Sequence, residues 1–305
     1  MIEATKVERP TAVVLGATGG IGRLVGGVLV EVGADVIGVD RLPADEPAVA
    51  RHIVLDVNDG DGVADVLRPA DIVVTALPRT LVPRVLDTVE TMRDRRRLLV
   101  ETSSVKGDLA VRLHRAAAAN ESLEVLSVMP AFGPGLGADG GRVMVIPVRS
   151  GELAGFFCDA WRTRGATLDE VTAEQHDLLL ARTQAAAHFA LLAFGESLRR
   201  SPIPVAQLAA FGTPPFQVML RLLARMLDLG PHVVGEIQHD NEFADAARED
   251  HIAAARRIAD DVASSACPEE LLASLTTLLG ASRRPLEEDA AEIFALVRHQ
   301  ERRHR

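Results

Sequence analysis

The most chemically specific spacing in the chain lies in residues 11–41, TAVVLGATGGIGRLVGGVLVEVGADVIGVDR. Gly16, Gly19 and Gly22 recur at an interval that lets the backbone turn sharply beneath a pyrophosphate, with Thr18, Gly20 and Ile21 completing the loop. An apolar strand precedes the loop and a helix opens at it, so unpaired N–H groups and the positive end of a helix dipole would face the phosphates. Gly22 would let that helix pack closely on the strand. Asp40 ends the next apolar run, where a carboxylate accepts both hydroxyls of an adenosine ribose. A plain α/β turn would account for glycines alone, but not for glycines, strand, helix and terminal acid in this order. The combination reads as a dinucleotide site. NAD is expected ahead of NADP, because a 2′-phosphate would meet the charge of Asp40, although Arg41 directly behind could receive that phosphate.

Such a site has to be held by a parallel sheet, and the order of apolar runs supplies one. Strands are expected over 12–15, 34–39, 52–55, 71–77, 97–101, 123–128, 143–148 and 167–171, with helices over 60–67, 81–92, 108–119 and 152–164. Ligands in such sheets bind beyond the carboxyl ends of the strands, here the loops after Leu15, Thr75, Glu101 and Val128. Leu77, Pro78 and Ser103 therefore join the expected cofactor border. Beyond Thr172 the apolar spacing changes to three and four, predicting helices over 173–198, 214–227, 233–263, 268–279 and 286–297. The expected fold class is α/β plus all-α. A Rossmann-type dinucleotide-binding domain would span 1–172, and a helical substrate and dimerisation domain 173–305.

Composition narrows the partners. A net charge of −10 argues against nucleic acid and anionic membranes, which would repel the chain, and leaves a small-molecule substrate. Residues 1–10 hold no apolar signal core and no run approaches a membrane span, so a cytoplasmic chain is expected. Cys158 and Cys267 are isolated, and no metal site is suggested. The two lysines, Lys6 and Lys106, stand among thirty-one arginines, so a retained lysine is a candidate for a specific task.

Further along, Glu101-Thr-Ser-Ser-Val-Lys106, Met129-Pro-Ala-Phe-Gly-Pro134, Gln175-His-Asp177 and Gln184-Ala-Ala-Ala-His-Phe189 follow one another in an order and spacing that closely resemble prephenate dehydrogenase. The resemblance covers the whole chain and implies a nucleotide-binding domain joined to a helical dimerisation domain, hence a homodimer. It also implies hydride transfer from the hydroxyl-bearing ring carbon to nicotinamide, a histidine taking the hydroxyl proton, and loss of carbon dioxide.

By the same resemblance, Ser104 matches the serine that hydrogen-bonds the reacting hydroxyl, and Lys106 a basic residue of the same loop. Ser104 could equally cap the helix that follows, and Lys106 could be a solvated surface charge. His188 matches a histidine lining the site, its alternative being a satisfied core residue. His176 and Asp177 match a motif opening the interdomain helix, where Asp177 would contribute to substrate binding and His176 would serve capping and helix-dipole complementarity. Two positions depart from the family. Met129 stands where the catalytic histidine is expected, and Asp240 aligns with an arginine that holds a substrate carboxylate. A thioether has no useful basicity, and general-base assistance contributes about 10²- to 10⁴-fold. His239, beside Asp240, offers a substitute proton acceptor.

Three readings compete. The leading one is an NAD(P)-dependent oxidoreductase of this type acting on a related substrate, such as an amine-bearing ring. Authentic prephenate or arogenate dehydrogenase, or a silent NAD(H)-binding protein, are the alternatives. A short-chain dehydrogenase, suggested by the glycine loop alone, is set aside because that family uses a tyrosine and this chain has none.

Overall fold

The computed structural model describes residues 9–44, 49, 51–264 and 269–303, with side chains to residue 299. Lys6, Cys267 and His304 lie outside the described residues. The chain divides into two compact units, Met1–Leu179 and Leu180–Arg305.

The first unit alternates strand and helix: β1 (Thr11–Leu15), α1 (Gly20–Glu31), β2 (Asp35–Asp40), β3 (Arg51–Val54), α2 (Gly60–Leu67), β4 (Ile72–Thr75), α3 (Val82–Thr91), β5 (Arg97–Glu101), α4 (Gly107–Ala119), β6 (Leu123–Pro130), β7 (Arg142–Arg149), α5 (Glu152–Thr163), β8 (Thr167–Glu170) and α6 (Ala173–Leu180). The strands form one sheet in the order β3-β2-β1-β4-β5-β6-β7-β8. All neighbours are parallel except β6 and β7, where Met129 pairs with Met144.

Every residue of β4, β5 and β6 is buried, as unbroken apolar runs require when helices cover both faces. Alternation along β1 divides the core in two. Ala12 and Val14 pack with Val25 and Leu29 of α1 and Phe157 and Trp161 of α5. Val13 and Leu15 pack with Leu67 of α2, Leu86 of α3 and Leu113 of α4. This is the expected Rossmann-type arrangement, and it brings the carboxyl ends of β1, β4, β5 and β6 to one edge.

The second unit is helical: α7 (Ala186–Arg199), α8 (Val205–Phe211), α9 (Pro214–Leu227), α10 (Gly230–Gly235), α11 (Ala244–Ala263), α12 (Glu269–Leu279) and α13 (Arg283–Arg303). The periodicity had predicted one helix over 233–263, and the structure breaks it. Glu236–Asp240 is a π-helical turn, and the Asn241 side chain then accepts the Phe243 N–H at 3.0 Å. Asparagine thereby offers the backbone a turn in place of the next helical bond. A second π turn, Ala181–Ala185, interrupts the helix that runs from Ala173 to Arg199. Gln238 donates to the Ala185 carbonyl at 2.8 Å, beside a small core of Ala185, Ile237 and Ala244.

Contrary to the expectation from the sequence, the 173–199 helix is long and apolar enough to cross a membrane by length and composition. Its first turns nevertheless hold His176 and Asp177, both buried in the first unit.

Candidate active site

Gly16 adopts φ +83°, and a side chain there would drive Cβ to 2.1 Å from the Ala76 carbonyl oxygen. At Gly22 the Cβ would fall 2.1 Å from the Gly16 carbonyl oxygen. Both positions therefore exclude any larger residue, and the turn lies tight against the start of α1. Gly19 precedes that helix without a side-chain cap, and no acid occupies its first turn. Those N–H groups are free of any side chain that would compete with a phosphate. Asp40, at the end of β2, accepts from the Thr18 N–H at 3.1 Å and the Thr18 hydroxyl at 2.7 Å. Asp40 is half-buried and Arg41 is exposed. A cradle that side chains would fill, with a carboxylate at the adjoining strand end, fits a dinucleotide: the 16–22 turn would hold its pyrophosphate and Asp40 its adenosine ribose.

The loop after β6 borders this cradle, since a Cβ on Gly20 would meet Pro134 Cγ at 3.0 Å. Leu77, in the loop after β4, is half-buried and packs on the core, while Pro78 is exposed. Ser103 is buried with its hydroxyl unpartnered, and Ser104 is partly exposed. Met129 is buried near the end of β6, and its cross-strand partner Met144 is buried too. Cross-strand partners share a sheet face, so the two thioethers lie side by side.

Beneath this edge sits a charge cluster that sequence reasoning did not assemble. Glu101, fully buried at the end of β5, accepts from the Ser103 N–H, from the Ser127 hydroxyl at 2.6 Å and from the Lys106 ammonium at 3.1 Å. Lys106 also donates to the carbonyls of Ser103 at 2.7 Å and Val128 at 3.1 Å. Lys106 is therefore not a solvated surface charge: it is 1% exposed, and its three donors are all taken within the protein. Burial pulls its ammonium below the ordinary value, against the attraction of Glu101. The visible signal was an acid closing an apolar strand five residues before one of the two lysines.

The cap of α4 also comes from elsewhere than expected. Ser104 does not cap it; Asp177 accepts the Lys106 N–H at 3.0 Å and the Gly107 N–H at 2.8 Å. His176 Nδ1 lies 2.8 Å from Asp177 Oδ1. Burial pushes the Asp177 carboxyl up, but the bonds from His176, Gly107 and Lys106 outweigh it and hold the pKa below its ordinary value. For His176 burial prevails over the Asp177 bond and lowers the imidazole pKa.

Within the helical unit, His188 is half-buried with Nδ1 unpartnered, and burial lowers its pKa. His239 and Asp240 end the Glu236–Asp240 π turn. They do not form a hydrogen-bonded pair: His239 Nδ1 is 3.9 Å from Asp240 Oδ1, and the imidazole is 91% exposed. The two stand next to each other on a helical turn, where successive side chains project in different directions.

A doubly wound sheet with this glycine cradle, followed by a helical unit, defines a dinucleotide-dependent oxidoreductase. No family model matches the chain. It is 34% identical over 238 residues to 4-amino-4-deoxyprephenate dehydrogenase of Streptomyces pristinaespiralis, covering 78% of this chain and 79% of that one. It is 22% identical to a probable arogenate/prephenate dehydrogenase of Methanocaldococcus jannaschii over 76% of this chain, spanning about half (52%) of that relative's length. Among solved structures, prephenate dehydrogenase from A. aeolicus, in complex with hydroxyphenyl propionate and NAD+, superposes with a TM-score of 0.72 at 16% identity, covering 92% of this chain and 99% of that one. The chain belongs to the prephenate/arogenate dehydrogenase family of NAD-dependent oxidoreductases.

Proposed function

We propose that the enzyme oxidises a prephenate-like cyclohexadiene whose ring carbon carries an amine in place of the hydroxyl, a substrate of the 4-amino-4-deoxyprephenate class, with NAD as the hydride acceptor. The observation that carries this reading is the burial of Met129 beside Met144, at the position that by resemblance corresponds to the family's catalytic histidine.

In the reaction the C–H bond at the amine-bearing carbon breaks and its hydride passes to NAD+. The bond to the ring carboxylate breaks as well, its electron pair enters the ring, and carbon dioxide departs. From the neutral amine no proton is gained or lost in this step; a substrate that arrives as the ammonium ion releases one proton to solvent before the hydride leaves. A hydroxyl benefits from a base because its oxygen is a weak electron donor until deprotonated; a neutral amine already has a strongly donating lone pair. The demand on this protein is then to keep the nitrogen uncharged, and a dry thioether surface does so, because burial disfavours the ammonium form. Ser104 would orient the nitrogen, and the Ser103 hydroxyl is available to the cofactor. Asp177 acts through the loop it caps. His188, kept neutral by burial, serves as a hydrogen-bonding contact. Asp240, which by the alignment stands at the place of the family's carboxylate-binding arginine, cannot hold a carboxylate of this substrate, since like charges repel, so that group must be met by other residues. The relative of 34% identity, named for an amino substrate, supports the same reading. Homodimerisation through the helical unit and a cytoplasmic location belong to this proposal.

Steady-state formation of NADH, followed by its near-ultraviolet absorbance, should give a higher kcat/KM with 4-amino-4-deoxyprephenate than with prephenate or arogenate. Preference for prephenate would overturn the reading.

A further inference from the structure

We infer that Glu101 and Lys106 are positioning residues, a buried ion pair that grips the backbone of one residue, Ser103, from both sides and thereby sets the distance between Ser104 and Met129. The inference rests on the proposed reading only in taking those two residues to meet the reacting part of the substrate.

The geometry is specific. Ser103 donates its N–H to Glu101 Oε1, and its C=O accepts from Lys106 Nζ at 2.7 Å, so both polar groups of this residue's backbone end on the same pair. The pair has a second attachment on β6. Lys106 Nζ bonds the carbonyl of Val128, the residue before Met129, at 3.1 Å, and Glu101 Oε2 accepts from Ser127 at 2.6 Å. One buried salt bridge of 3.1 Å thus joins the turn that presents Ser104 to the strand that presents Met129. Hydrophobic residues of similar volume often stabilise a fold at least as well as a buried ion pair, so stability alone does not explain placing one here. Directional donors and acceptors do, because they fix the turn against the strand in one register. Misplacement of a reacting group by about 1 Å can cost about 10²-fold in rate.

Removing either charge alone leaves the other buried, so the informative variant is the double change Lys106→Met with Glu101→Gln. Backbone hydrogen exchange should rise over residues 102–107 and stay unchanged over 11–40, and kcat should fall about 10²-fold with KM little changed. The single change Ser127→Ala removes one attachment without burying a lone charge, and should lower kcat in the same direction by a smaller factor. The exchange measurement needs no substrate, so it tests the grip even where wild-type turnover would sink the amine reading. Unchanged exchange over 102–107 in both variants overturns the inference. So does a folded double variant whose kcat, on the best substrate of the wild type, matches that of the wild type.

Discussion

Asp177 closes the amino-terminal end of α4 from seventy residues away, its Oδ2 accepting the Gly107 N–H at 2.8 Å. The same carboxylate takes the Lys106 N–H, so it holds two of the donors that a helix start leaves without partners. Asp177→Ala should lower unfolding stability by about 0.5–2 kcal/mol for the lost cap. The loss should exceed that of an ordinary cap, because His176 Nδ1 would lose its acceptor in the interior. Urea denaturation of the two proteins measures the difference; an unchanged midpoint would show that water replaces the carboxylate.

Acid should weaken the fold through His176. Burial lowers its pKa from the ordinary 6.5, so below that value the unfolded chain takes up a proton that the native imidazole resists. The stability contribution is therefore complete above pH 6.5 and drains away as the pH falls through the depressed native pKa. With Nδ1 donating to Asp177, Nε2 is a bare lone pair in the interior, and a proton there would have no acceptor. His188 is shifted the same way by burial. Thermal melts at pH 7 and at progressively lower pH should show a falling midpoint, with a shallower fall in His176→Asn. Parallel curves for the two proteins would assign the acid sensitivity elsewhere.

Met129→His tests the proposed correspondence of this position with the family's catalytic histidine. Turnover of prephenate should rise by about 10²-fold or more, the usual contribution of a general base. Turnover of the amino substrate should fall, because a polar ring in place of the thioether lets the amine protonate. Kinetics on both substrates check this, and no gain with prephenate would mean that the imidazole does not reach the reacting hydroxyl.

Asp40→Ala should weaken NAD binding by about 10- to 100-fold, the value of hydrogen bonds to a charged group, while NADP binding suffers less because a repelling charge has gone. Fluorescence titration with both reduced cofactors measures the ratio. Equal losses for the two would indicate that Asp40 serves only to hold Thr18.

Gly22→Ala puts a methyl 2.1 Å from the Gly16 carbonyl oxygen, so the turn must move away from α1. Overpacking of this kind costs about 1–3 kcal/mol. The melting midpoint and NADH affinity should drop together, whereas a change at Gly27, where a Cβ would meet nothing, should leave both in place.

The amino-acid sequence by itself determined the dinucleotide cradle, the doubly wound order of strands and helices, and the change to helical periodicity beyond Thr172. Each is written in neighbouring residues: a run of apolar side chains, a period of two or 3.6, and glycines where no Cβ fits. Asp40 was legible for the same reason, since an acid closing the second strand has one place to stand. Tertiary structure decided what long-range pairing decides. The helix expected over 233–263 breaks at Asn241, after a π turn whose Gln238 is held to the distant Ala185 carbonyl. His239 and Asp240, adjacent in the chain, come no closer than 3.9 Å and make no hydrogen bond to each other, while Asp177 and Gly107, seventy residues apart, do. Lys106 reads equally as a surface cation and as a site residue until the sheet closes and gives its ammonium to Glu101 and two carbonyls. A charge is buried only when distant segments converge to solvate it, and no local period records that convergence.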